Sequence, residues 1–290
     1  MLDLPDREQL RTLRARAPEH RLGVHASSIA FQVLVGLVPL ALLGIALLGA
    51  FGLESTWYDS VGPELRRRLS LPVYGAIDFS VTEIFTSAGW SLIAFAGALL
   101  VWQLWRGVLA ASAALNDIRE TRETRPLLRR TLVTLTLAVV VGVCLIGATL
   151  TMVVASRVAG EGTSGLLVSL ARFPLALVLV GVSVGLLLRY AGATSHGGGW
   201  ASVGSVVIVV GWILLSLGFG WWVTSVADYK SAFGNLAVFL VLAAYVLAAS
   251  AIFLLGAELD ELGGDVTDAE ERADRSGRGR SSSGRQRRRR

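Results

Sequence analysis

A chain of 290 residues that is 53% hydrophobic and only 17% charged lacks the roughly one-quarter charged residues of a soluble domain. Its net charge of +5 and pI near 10 sit mostly in the last fifteen residues, without stacking aromatics, so no specific nucleic-acid partner is expected. The single cysteine, Cys144, excludes an intrachain disulfide, and His20, His25 and His196 follow no metal-ligand spacing, so neither a metal nor a cofactor is expected.

Taken in chain order, residues 1–22 place Leu2, Leu10 and Leu13 among charges, which predicts a short amphipathic segment on the cytoplasmic surface. A membrane domain over 23–260 follows, with apolar runs at about 26–53, 88–115, 131–156, 167–189, 201–224 and 234–257. Each reaches the roughly 20 residues that a helix needs to cross hydrocarbon. Backbone groups in lipid must be paired internally, and no period-2 alternation of a barrel is present, so the runs predict helices. The first run is far longer than the ~7–15-residue apolar core of a signal peptide, follows a charged stretch and contains Pro39. It predicts an uncleaved span.

Residues 54–87 form the one long outer loop, with Trp57, Tyr58, Tyr74 and Phe79 beside Pro63 and Pro72, and predict short interfacial helices. Residues 261–290 hold no aromatic and predict a disordered Arg/Ser-rich tail. The expected fold is an all-α integral membrane protein, a six-transmembrane-helix bundle with short amphipathic interfacial helices. With the N-terminus inside, cytoplasmic segments hold eleven arginines before the tail, against six basic residues outside. That bias predicts a multi-pass protein of the bacterial inner membrane with both termini cytoplasmic.

Arg106 lies well inside the second span, where an arginine snorkels along apolar surface, here beside Trp102 and Trp105, or meets an anionic substrate. Asn116, Asp117, Arg189 and Glu258 fall at helix ends on the same face under this topology. They are either a polar cluster lining a vestibule, with Glu258 pairing Arg106 or Arg189, or separate solvated ends. Glu258 most needs a partner, because an acid near a helix C-terminus is electrostatically disfavoured, and Gly256-Ala257 before it allow close helix approach. Pro39 removes a backbone hydrogen bond, and with Gln32 it marks a candidate hinge. Arg285, Arg287, Arg288, Arg289 and Arg290 are candidate contacts for anionic lipid head groups. His196-Gly-Gly-Gly199 matches an esterase oxyanion loop only superficially, since no Gly-x-Ser-x-Gly elbow accompanies it.

Several segments resemble the YihY/BrkB family of bacterial inner-membrane proteins: His25-Ala-Ser-Ser-Ile-Ala-Phe31 through Val38-Pro39-Leu40, then Ala114-Leu115-Asn116-Asp117-Ile118 with Arg122 and Arg125. Tyr229, Phe233-Gly234-Asn235 and the closing Leu255-Gly256-Ala257-Glu258-Leu259 complete the likeness, which covers residues ~20–260. The chain departs from the pattern at Gly36, usually serine, at the alanine before Tyr245, usually aromatic, and in the proline-free turn Gly197-Gly198-Gly199. The resemblance implies a six-helix inner-membrane protein. Members have been described as virulence-associated, as lipopolysaccharide or lipid exporters, and once as a tRNA-processing ribonuclease. Phosphodiester cleavage needs metal-binding carboxylates or a His/Lys acid–base pair, and the sequence offers neither. The expectation is therefore a non-enzymatic protein that assists transport of a lipid or other anionic envelope component, with membrane lipids as partners and an oligomer possible. The alternative is a scaffold that binds a partner through the outer loop or basic tail.

Overall fold

The computed structural model describes residues 20–87, 89–158, 163–193, 202–225 and 239–263. Their regular structure is entirely helical. Helix α1 (Leu22–Ala50) leads through a turn at Glu54–Thr56 and a π-helical stretch, Trp57–Val61, into α2 (Gly62–Arg68) and α3 (Leu71–Ser87). Then come α4 (Trp90–Ile118), α5 (Leu127–Val158), α6 (Thr163–Tyr190), α7 (Val203–Ser225) and α8 (Phe239–Gly263). Six of these, α1 and α4 to α8, are long and apolar enough to cross a membrane, and the loop between the first two is helical as expected. Large apolar side chains such as Phe31, Val38 and Leu214 stand exposed on them. On a spanning helix, those are the surfaces that acyl chains cover.

The helices overrun or stop short of their apolar runs for local reasons. Gly52, at φ 65°, closes α1 with the Leu53 N–H donating to the Leu48 carbonyl at 2.8 Å, a Schellman end that stops the helix three residues before the apolar run does. Helix α4 runs three residues past its apolar run and takes Asn116 and Asp117 into its last turn. It closes with the same motif, the Thr121 N–H donating to the Asn116 carbonyl at 3.0 Å, but with Glu120 in the left-handed position usually given to glycine.

Helix α1 packs on α3 and α4, and the remaining spans pack in succession, α4 on α5, α5 on α6 and α6 on α7. Helices α7 and α8 cross where Gly204 meets Gly256: a side chain at Gly204 would strike the Gly256 carbonyl, and one at Gly256 would strike Ile208. Small residues let backbones approach, which is how helices gain packing where lipid supplies no hydrophobic drive. Interhelical hydrogen bonds add to this: Trp105 Nε1 donates to Thr134 Oγ1 at 2.9 Å, Ser112 Oγ to the Ala191 carbonyl at 2.6 Å, and Trp212 Nε1 to the Ala249 carbonyl at 2.8 Å.

The continuous core among the described residues gathers towards one face of the bundle. It joins Leu22 and Ala26 of α1, Val108 to Ile118 of α4, Leu137 to Val141 of α5, Val184 and Leu188 of α6, Ile208 of α7 and Phe253 to Ala257 of α8. At the opposite end, Asp78 of α3 accepts hydrogen bonds from Trp57 Nε1 at 2.9 Å and from the Tyr74 hydroxyl at 3.3 Å, which folds the loop onto itself. The amphipathic segment before His20, the turn Gly197–Gly199, and the tail arginines Arg285, Arg287, Arg288, Arg289 and Arg290 lie outside the described residues.

Candidate functional site

The convergent face ends in a network of charged and amide side chains. His20, just before α1, donates from Nδ1 to Oε2 of Glu258 in α8 at 2.9 Å; the carboxylate is fully buried and its Oε1 has no hydrogen-bond partner among the described residues. The other ring nitrogen of His20 lies 3.8 Å from the Glu120 carboxylate. One helical turn into α1, His25 Nε2 meets Asp117 Oδ2 at 2.8 Å. Two histidines that flank the start of the first span thus bond acids from the ends of the second and last.

The C-terminal carbonyls of α6, orphaned by helix geometry, are met by side chains of the α4–α5 connection. The Arg119 guanidinium donates to the Leu188 carbonyl, and Arg125 to the carbonyls of Gly192 and Ala193, the latter at 2.9 Å. Asn116 Oδ1 accepts from the Ala193 N–H at 2.6 Å. Burial lowers the Arg119 pKa, opposed by the carboxylates of Glu261, 3.7 Å away, and Asp260; a guanidinium keeps its charge even so. Asp260 Oδ1 in turn accepts from the Gly204 N–H at 3.0 Å, at the α7–α8 crossing.

A second polar feature lies deeper. Gln103 of α4 donates from Nε2 to both the side-chain oxygen, at 2.8 Å, and the backbone carbonyl, at 3.1 Å, of Gln32 in α1. Gly36 and Gly107 sit against this pair and let the two helices close on it. Arg106, one turn beyond Gln103, is exposed on the bundle surface. By helical rise it stands about 18 Å from Ile118 and about 24 Å from Trp90, inside a ~30 Å hydrocarbon layer on either measure.

Of the residues singled out from sequence, Asn116, Asp117 and Glu258 do share one face. Their contacts differ from the expected ones: Glu258 bonds His20 where Arg106 or Arg189 was the anticipated partner, because Arg106 lies some three turns up the span. Arg189 sits at the end of α6 with its guanidinium 5.7 Å from the Tyr190 ring. Trp102 and Trp105, which flank Arg106 in sequence, pack edge-to-face on each other with ring centroids 5.2 Å apart. Pro39 is buried within the unbroken α1. The residues that sequence reasoning missed are His20, His25, Arg119 and Arg125. His25 and Arg125 stood out only as part of the family likeness, without a site role, and the acceptors of the two arginines are backbone carbonyls, which carry no side-chain signature.

Residues 13–279 match the family described as virulence factor BrkB. The chain belongs to the BrkB family. Its relatives include a UPF0761 membrane protein of Methylibium petroleiphilum, 28% identical over 86% of this chain and 61% of the relative. Another UPF0761 membrane protein, from Delftia acidovorans, is 29% identical over 87% and 61%. This BrkB chain therefore spans about three-fifths of the length of those relatives. No solved structure matches it. The multi-pass membrane architecture and the BrkB membership agree, and Pro39, Asn116, Asp117 and Glu258 all lie within the matched residues of this BrkB protein.

Proposed function

We propose that this BrkB protein assists the movement of a phospholipid or other anionic envelope component across the bacterial inner membrane, with the His20–Glu258 face cytoplasmic. The observation that carries the reading is Arg106 exposed on the surface of a spanning helix beside the Gln32–Gln103 pair. A headgroup leaving water for hydrocarbon loses its solvation, at a cost of several kcal/mol or more. A guanidinium and two amides at mid-depth offset part of that loss, because the guanidinium offers paired donors to phosphate. An arginine kept at that depth is itself expensive, which makes a passive structural role for it a poor explanation. The excess of arginine in the connections on the His20 face supports the orientation.

Reconstitution of the purified protein into vesicles carrying a headgroup-labelled phospholipid tests the reading. The label is expected to equilibrate between leaflets faster than in protein-free vesicles. Folded protein that accelerates no phospholipid refutes it and favours a scaffold role for loop 54–87.

A further inference from the structure

Beside the His20–Glu258 bond an open cavity of about 290 Å³ is lined by His20, Arg21, Asp117, Glu120, Thr121 and Arg122. Its charges balance, two guanidinium groups against two carboxylates. Thr121 lines it, and its hydroxyl is buried with no hydrogen-bond partner among the described residues. The two described non-glycine residues with positive φ, Arg21 at 50° and Glu120 at 48°, both line it. Each pays a backbone penalty of about 1 kcal/mol or more, and such strain persists where the surroundings demand that side chain at that position. The C-terminus of α1 closes in the same way as that of α4 but uses Gly52, without strain, where α4 has Glu120. The cavity lies where α1 begins and α4 ends, the level at which a spanning helix passes from hydrocarbon into the headgroup layer.

We infer that this cavity takes a phospholipid headgroup that pairs a primary ammonium with a phosphate, a phosphoethanolamine. The inference deepens, and rests on, the lipid-moving reading above. Arg21 and Arg122 receive the phosphate. Glu120 and the Asp117 oxygen not used by His25 accept from the ammonium. A purely anionic headgroup meets the same two guanidinium groups but brings no ammonium for Glu120 and Asp117, so it binds more weakly. A choline headgroup carries its charge without an N–H to donate, so it forfeits the hydrogen bonds to Glu120 and Asp117.

Native mass spectrometry of the full chain in detergent, offered equal amounts of short-chain phosphatidylethanolamine, phosphatidylcholine and phosphatidylglycerol, tests this. The ethanolamine lipid is expected to be retained about tenfold over either competitor, the scale of one charge-assisted hydrogen bond. Glycerophosphoethanolamine, the same zwitterion without chains, is expected to displace it. Glu120→Gln is expected to abolish the preference. Glu120→Gly relaxes the left-handed backbone, so it is expected to raise the Tm while still losing the preference, which separates recognition from folding. Equal retention of the three lipids, failure of the soluble zwitterion to compete, or an unchanged preference in Glu120→Gln each overturns the inference. Binding with this preference but no leaflet exchange refutes only the transport reading; exchange without the preference refutes only the cavity assignment.

Discussion

Nδ1 of His20 lies 2.9 Å from Oε2 of Glu258, so a residue before the first span is bonded to the end of the last across 238 positions of sequence. Removing one member of a buried pair leaves the other desolvated and uncompensated, a loss of about 3–5 kcal/mol. His20→Ala is therefore expected to lower the Tm of the detergent-solubilised chain sharply. In His20→Ala/Glu258→Gln the loss should be smaller than the sum of the single losses, as for contacting partners. Strictly additive losses would show that the two side chains do not bond.

At the α7–α8 crossing, Gly256 faces Ile208 and the Gly204 carbonyl with no room for a side chain. Overpacking of a flexible core costs about 1–3 kcal/mol, and a backbone neighbour yields less readily. Gly256→Val is expected to lose at least that much in thermal unfolding. Gly44→Ala, mid-helix where nothing lies within reach of an added methyl, is expected to lose no stability and to gain up to about 1 kcal/mol.

Asn116 accepts from the Ala193 N–H and so ties the end of α6 to the end of α4. Asn116→Ala leaves that N–H unmet, at about 1–3 kcal/mol. Hydrogen exchange at residues 188–193 is expected to speed up in Asn116→Ala and to return towards the wild-type rate in Asn116→Asp, which keeps the acceptor oxygen.

Gln103→Leu removes the donor that Gln32 uses in the α1–α4 seam. Interhelical hydrogen bonds in membranes are worth about 0.6–2 kcal/mol, so a modest drop in Tm is expected. A larger relative loss in leaflet exchange than in stability is expected if the seam meets headgroups. Equal exchange in the variant would make the pair structural.

The six spans were legible because crossing hydrocarbon demands long apolar runs, and no soluble fold imitates that demand. Helix ends were less so. Apolarity runs through Phe51 to Leu53, but the left-handed Gly52 stops the helix; Asn116 and Asp117 are polar, yet they complete the last turn of α4. That Asn116, Asp117 and Glu258 would stand at span ends on one side followed from topology; whether they formed a cluster or separate solvated ends did not. Their partners did not follow, because no local pattern links His20 to an acid at the far end of the chain. Arg106 was recognisable as a charge inside a span; its exposure on the bundle surface depends on how α4 is rotated against α1, which periodicity alone left open.

Leaflet exchange by Arg106→Gln, which keeps a polar side chain but not the charge, bears most directly on the proposed role. Headgroup-labelled phospholipid in proteoliposomes is expected to equilibrate quickly with the wild-type chain and about tenfold more slowly with the variant, for the loss of one charge-assisted phosphate contact. Equal rates from equally folded proteins would contradict the account.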